Sequence, residues 1–250
     1  MTGLEYVNDI LKKYAVDSNI AAWYRNFLYP YISEWAGGYL VDFKISGSTA
    51  KGTAVSSGTD VDFFISLTSN LNTSLSEIYG NLYTYMSNKG FSVRRQNVSI
   101  GVDYNSDQID LVPAKRQSQF GNDHSLYLSK SSTWTKTNIE THISQVISSN
   151  RLKEIKLAKI WRNKNRLDFP SFYLELVVID ALKGSIIGAT DVNFLKALKF
   201  IASTIETKIY IDPANSNNYI SNLISAAEKK KIAQLALSSA NQQYWKDIVA

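Results

Sequence analysis

Cysteine is absent from the 250-residue chain, and histidine occurs only twice. The first absence excludes a disulfide framework, thiolate metal sites and a cysteine nucleophile. The second leaves His124 and His142 as the only imidazoles, with no HxxxH or HExxH pattern around either, so a histidine-based zinc site is not expected. Any metal here should be held by oxygen. Long apolar runs are lacking too. The most apolar stretch, Phe172 to Leu182, contains Glu175 and Asp180 and is shorter than the roughly 20 apolar residues of a membrane span. A secretory signal would show a basic start and an apolar run, whereas "MTGLEYVNDILKKYAVDSN" has acidic residues and an amphipathic pattern. These absences lead to the expectation of a cytoplasmic protein with no membrane partner. Neither an internal repeat nor a long low-complexity linker interrupts the chain.

What is present suits a globular protein with a sizeable core, since 44% of the residues are hydrophobic. With 27 Lys and Arg against 22 Asp and Glu the formal net charge is +5, a mild basic excess that suits a phosphate-bearing ligand without requiring one. Leu4, Val7, Ile10 and Leu11 fall at helical spacing, and an aromatic-rich helical pattern runs from about Asn19 to Trp35 before Gly37-Gly38 breaks it. Strands are expected at "YLVDFKIS" and "DVDFFISL", separated by the small-residue stretch Gly47 to Gly58. A helix follows from Leu75 to Ser87, with Gly90 as its stop. Further strands flank an Asn105-Ser106-Asp107 turn, the second closed by Pro113. After about Asn138 the pattern is almost entirely helical, and the polar "SKSSTWTKTN" reads as the connection between an αβ half and a helical half.

Two carboxylates interrupt the apolar strand "DVDFFISL". On a strand, Asp60 and Asp62 share one face while Val61 and Phe63 share the other, so the apolar side can enter a core as both acids converge above the sheet. Many surface strands carry two solvent-facing acids, so a bare DxD says little by itself. Its context adds chemistry. Gly47-Ser48 follows a strand, and the small residues after it allow a short helix whose amides, with the Ser48 hydroxyl, could hold a triphosphate. Magnesium favours one or two carboxylates plus phosphate oxygens and water, and two such ions could clamp an in-line phosphoryl or nucleotidyl transfer. Asp110, in the strand "QIDLVPA", is the best third acid. Asp103 stays open as an alternative, while Asp107 is more simply a turn residue.

At this point "GSTAKGTAVSSGTDVDFFI" resembles the signature of polymerase-beta-like nucleotidyltransferases: Gly-Ser, then an Asp-x-Asp strand, then a third Asp on a later strand. Gly47, Ser48, Asp60, Asp62 and Asp110 match in order. The segments "KLAKIWRNKNRLDFPSFYLELV" and "IDPANSNNYIS" look like the helical half of cGAS/DncV-like nucleotidyltransferases (CD-NTases), archaeal-type CCA-adding enzymes and oligoadenylate synthases. The resemblance implies an α+β fold, with a nucleotidyltransferase palm over residues 1–135, N-terminal helices included, and a helical domain over residues 136–250. It implies two Mg²⁺ ions, with Mn²⁺ as a substitute, held by Asp60, Asp62 and Asp110. Gly47 and Ser48 would cradle a nucleoside triphosphate, and Lys159 and Ser171 would contact its phosphates. Read from their residue types alone, a solvated helix charge for Lys159 and a helix cap for Ser171 are as well supported as those phosphate contacts. Tyr127, Trp134 and Tyr173 could stack a base or simply pack.

The function so implied is a template-independent nucleotidyltransferase that releases pyrophosphate. A synthase of a cyclic oligonucleotide second messenger in bacterial anti-phage signalling comes first, because little chain remains for the extra RNA-holding domains of CCA-adding enzymes. The alternatives are a terminal transferase with a tRNA or other RNA acceptor, and a non-catalytic nucleotide-binding module. A monomer is the expected state.

Overall fold

The structure is a computed structural model that describes residues 1–58, 60–105 and 107–249. Along the chain, α1 (Gly3–Lys13) and α2 (Ser18–Ala36) precede β1 (Leu40–Ile45), the single turn α3 (Gly47–Ala50) and β2 (Val61–Leu67). Next come α4 (Leu75–Asn88), β3 (Ser92–Arg95), β4 (Ile100–Tyr104), β5 (Asp107–Arg116), β6 (His124–Leu128) and β7 (Thr133–Thr137). The remainder is α5 (Ile139–Ile147), α6 (Leu152–Lys164), α7 (Ser171–Ala181), α8 (Thr190–Thr204), β8 (Ile211–Asp212), β9 (Asn215–Tyr219), α9 (Ala226–Ala240) and α10 (Trp245–Ile248). Two compact units result. A sheet unit comprises residues 17–51 and 59–142, and a helical unit comprises residues 1–16, 52–58 and 143–250.

The sheet unit is built on seven strands, ordered β1-β2-β5-β4-β3, with β6 on β5 and β7 on β6. Among the described residues, β2 and β5 run parallel and the other pairs are antiparallel. Period-two alternation sorts β2 into faces. Phe63, Ile65 and Leu67 lie almost wholly buried beside Phe43, Ile100, Val102, Ile109 and Leu111, under Leu28 and Ile32 of α2 and Ile78, Leu82 and Met86 of α4. Burying each such side chain contributes about 1.5–3 kcal/mol, which is what holds both helices to this face. Asp62, Phe64 and Ser66 point the other way, where Phe64 packs with Ala114 and Leu126.

The helical unit gathers α1 and α6 to α9 around Trp161, Tyr173, Val177, Phe194, Leu198 and Ile232. Charge-rich α6 still buries Ile155, Leu157, Ile160 and Trp161, and the indole of Trp161 donates to Ser239 Oγ of α9 at 2.9 Å. The irregular segment Gly52–Gly58 belongs here: Val55 is part of this core, and the Ser56 amide donates to the Tyr14 carbonyl. Among the described residues no helix is long and apolar enough to cross a membrane.

Several expectations change in detail. Pro113 does not close β5, which runs on to Arg116. The ladder to β4 ends at Leu111 and that to β6 begins at Lys115, so Pro113 falls in a gap where no neighbour on that side needs its missing N–H. "SKSSTWTKTN" is not a plain connection, since β7 lies within it and forms a hairpin with β6; β8 and β9 form another unexpected hairpin. Asn105 has the positive φ of a turn, whereas Ser106 lies outside the described residues. The division into units also differs from a cut after residue 135. The stripe of α1, with Val7 and Ile10, is buried in the helical core, and that unit resumes at Ile143.

Candidate active site

The acids meet at the edge of the polar sheet face. Asp62, second residue of β2, is the register partner of Asp110 in β5, so the parallel ladder sets both carboxylates on one face. Asp60 is exposed just before β2 begins. The start of α3 closes against β2: the Ser46 amide donates to the Asp62 carbonyl at 2.8 Å, and the Ser48 amide donates to the Asp62 carboxylate. Position 47 must be glycine. It has φ +57°, and a Cβ there would stand 1.8 Å from Asp62 Oδ2.

This packing shapes the electrostatics. Burial pushes the Asp62 carboxyl up to about 6, with Asp110 and Asp60 adding repulsion, while Lys51 and the Ser48 amide pull it back. Asp110, 8% exposed, is likewise raised, first by burial and then by Asp60. It is held by Gln96 Nε2 at 2.9 Å and Ser99 Oγ at 3.4 Å, with Arg94 Nη2 at 3.8 Å. Three carboxylates thus share one field against Lys51 and Arg94. Lys51 is 6% exposed. Sequence reasoning missed it, although it is the lone charge among the small residues of Gly47 to Gly58. Gln96 and Ser99 were missed as well, and nothing in their spacing marks them.

The other candidates for a third acid are engaged elsewhere. Asp103 is bonded by Arg94 and Ser92. Asp107 accepts from Tyr24 Oη at 2.5 Å, and burial together with that bond pushes the Tyr24 phenol up to about 12. Among the described residues no group of three or more His, Asp or Glu side chains makes a ready cage for an ion. The donor set is all oxygen and negatively charged, and its mutual repulsion is of the kind a divalent cation relieves. It fits an ion that completes its shell with phosphate and water.

Gly47, Ser48, Asp60, Asp62 and Asp110 all belong to the sheet unit; Lys159 and Ser171 belong to the helical unit. Ser171 is the first residue of α7, and its hydroxyl accepts from Arg162 Nη1 at 2.9 Å. Lys159 is not the solvated charge its helix suggests: it is 2% exposed, and its ammonium lies 2.6 Å from Glu175. Of the aromatic candidates, Trp134 is exposed, Tyr127 leans on Tyr79, and Tyr173 is wholly buried between Phe169 and Tyr210. Buried His124 is fastened by Ser66 and the Asn122 carbonyl, and burial holds its imidazole below the usual range.

No protein-family model matches the chain, and no curated protein matches it either. Solved structures do. The CD-NTase CdnG of Bradyrhizobium diazoefficiens, in complex with GTP, superposes with a TM-score of 0.82 at 12% identity, over 96% of this chain and 90% of that one. The CdnE cyclic dinucleotide synthase of Elizabethkingia meningoseptica, with GTP and Apcpp, gives 0.69 at 16% identity, over 87% and 90%. A cytoplasmic RNA terminal U-transferase gives 0.67 at 11% identity, over 97% and 95%. Sheet order, helical unit and these likenesses agree that the chain has the α+β fold of the polymerase-beta-like nucleotidyltransferases, in the form shared by CD-NTases.

Proposed function

We propose that the protein is a metal-dependent, template-independent nucleotidyltransferase that joins nucleoside triphosphates into a cyclic oligonucleotide signal, serving bacterial defence against phage. The observation that carries this reading is the pairing of Asp62 with Asp110 across parallel strands, beside Asp60 and the Gly47-Ser48 turn. In the reaction, a ribose hydroxyl attacks the α-phosphorus of a triphosphate. A new P–O bond forms, the α–β bridging P–O bond breaks, and pyrophosphate and a proton leave. Asp60, Asp62 and Asp110 would hold two Mg²⁺ ions, or Mn²⁺ in their place. When bound, such ions supply positive charge to the attacking and leaving oxygens.

The chain's own residues make the rest of the site. The buried strand face beneath Asp62 and Asp110 fixes the carboxylates in place, and Gln96 and Ser99 orient Asp110. Gly47 lets α3 close on Asp62 with no side chain between them. Lys51 offsets part of the acid repulsion while the site waits for substrate. The GTP-bound CdnG and the cyclic dinucleotide synthase CdnE support both the triphosphate and the cyclic product. The RNA terminal U-transferase, matched over almost its whole length, favours a second reading in which an RNA end is the acceptor.

The test is incubation of purified protein with four labelled triphosphates and Mg²⁺ or Mn²⁺, without RNA, then phosphatase treatment and mass spectrometry. An Asp60→Ala/Asp62→Ala variant serves as control. A phosphatase-resistant cyclic product lost in the variant supports the synthase. Extension of added RNA with no product in its absence moves the assignment to terminal transfer, and no transfer under either condition overturns both.

A further inference from the structure

Outside the acidic cluster, one buried ion pair stands apart. Lys159 of α6 is 2% exposed and Glu175 of α7 is 0% exposed, with 2.6 Å between ammonium and carboxylate. Such a pair is weak support for a fold, because well-packed apolar residues of similar size often do as well or better. Its geometry points to a third member. Lys159 Nζ donates to Thr53 Oγ1 at 2.8 Å, and the same hydroxyl donates to Glu175 Oε1 at 2.8 Å. Thr53 is itself 0% exposed.

Thr53 lies in Gly52–Gly58, which has no helix or strand of its own to order it. Without a backbone ladder, side chains and single backbone bonds must hold such a segment. Beyond Thr53, Val55 is buried in the helical core, the Ser56 amide donates to the Tyr14 carbonyl at 3.0 Å, and Asn163 Nδ2 donates to Ser57 Oγ at 3.0 Å. In the chain this fastened segment joins Ser48 to Asp60.

We propose that Lys159 and Glu175 are positioning residues that act through Thr53, fixing the chain's path between the Gly47-Ser48 turn and the Asp60-Asp62 strand instead of holding a triphosphate. The consequence for catalysis rests on the nucleotidyltransferase reading; the fastening of the segment does not. An ammonium enclosed to 2% exposure and bonded to Thr53 and Glu175 is already committed inside the unit. Small displacements of reacting groups are costly: an error of about 1 Å can cost on the order of a hundredfold in rate.

The experiment compares wild type with Thr53→Val, Thr53→Ser and the apolar double variant Lys159→Met/Glu175→Leu. It measures thermal unfolding, transfer kinetics across a Mg²⁺ titration, and hydrogen exchange of the amides in residues 54–58. In Thr53→Val, the expected outcome is a kcat lowered by about tenfold or more, a raised Mg²⁺ requirement and a KM for triphosphate within about twofold. Its 54–58 amides exchange at least about tenfold faster while the rest of the helical unit keeps its protection. Thr53→Ser restores wild-type values, and the double variant behaves as Thr53→Val. Wild-type kcat and exchange in Thr53→Val overturn the proposal. So does a double variant with raised KM and unchanged kcat and exchange, because Lys159 would then contact the triphosphate. Should wild type transfer no nucleotide, the functional reading fails, and unchanged exchange in Thr53→Val still overturns the fastening role.

Discussion

Replacing Asp62 by Asn should stabilise the protein in EDTA while abolishing nucleotidyl transfer. The Asp62 carboxyl is pushed from its ordinary 3.8 up to about 6, by burial first and by Asp110 and Asp60 next. That displacement corresponds to about 3 kcal/mol by which the folded state disfavours the ionised form. The sign follows from proton linkage. Below about pH 4 the group is protonated in folded and unfolded chains alike and costs nothing. As pH rises toward 6, only the unfolded chain ionises readily, and stability falls; above about 6 the full penalty stands. Asparagine removes the charge, and its amide oxygen can still accept from the Ser48 N–H. At pH 7.5 the variant should therefore melt about 5–10 °C above wild type. Melting curves of both proteins from pH 4 to 8 in EDTA test this: the two should converge near pH 4, diverge up to about pH 6 and then run parallel. A variant that melts at or below wild type at pH 7.5, or a gap independent of pH, would refute the claim that burial, aided by the neighbouring acids, makes the ionised Asp62 costly to the fold.

One position further along the same strand the sign reverses. Phe63→Ala, from a 0% exposed position on the opposite face, should cost about 3–5 kcal/mol in urea unfolding, because it opens a cavity under α2 and α4. Gly47→Ala should cost about 1–2 kcal/mol through its left-handed backbone. It should also lower kcat by about a hundredfold, since its Cβ would collide with Asp62 Oδ2 and displace the carboxylate; wild-type turnover would exclude that close approach. In the helical unit, burial alone would raise Asp180, but bonds from Lys208, Lys183 and Tyr210 outweigh it and hold the carboxyl down to about 2. This contribution of about 2 kcal/mol is present above pH 3.8 and lost as pH falls through about 2. Asp180→Asn should thus weaken the protein in urea at pH 7 and leave its acid-unfolded limit unchanged.

Local spacing made part of the site legible. Asp60 and Asp62 are two apart in an apolar strand, and that alone predicts a shared face. Glycine before Ser48 signals a tight turn because few other residues adopt its backbone. The partner of Asp62 was only a choice among acids, since register between β2 and β5 is decided by contacts far apart in the chain. The ladder sets Asp110 opposite Asp62, while Asp103 is bonded to Arg94 and Asp107 to Tyr24. The burial of Lys159 went unseen for a related reason, since sequence offered only a phosphate contact or a solvated charge. A lysine on a charge-rich helix looks exposed until the distant Glu175 and Thr53 are known to meet it. The hairpins β6–β7 and β8–β9 escaped notice because polar stretches such as "SKSSTWTKTN" carry little apolar alternation to reveal a strand.

The division into units has a consequence for how such a chain can be made and altered. Residues 1–16, 52–58 and 143–250 form one body, so the polypeptide passes between the two units four times. Neither unit is a cassette that a single splice could exchange with a relative. The sheet also depends on pairing β2 with β5 across the intervening α4, β3 and β4, a long closure that local contacts cannot hasten. A recombinant cut at residue 58 would sever both bodies at once, and one cut at residue 142 would keep the sheet unit whole but part residues 143–250 from the segments 1–16 and 52–58 that complete their body, so single-crossover chimaeras with a relative should fold poorly.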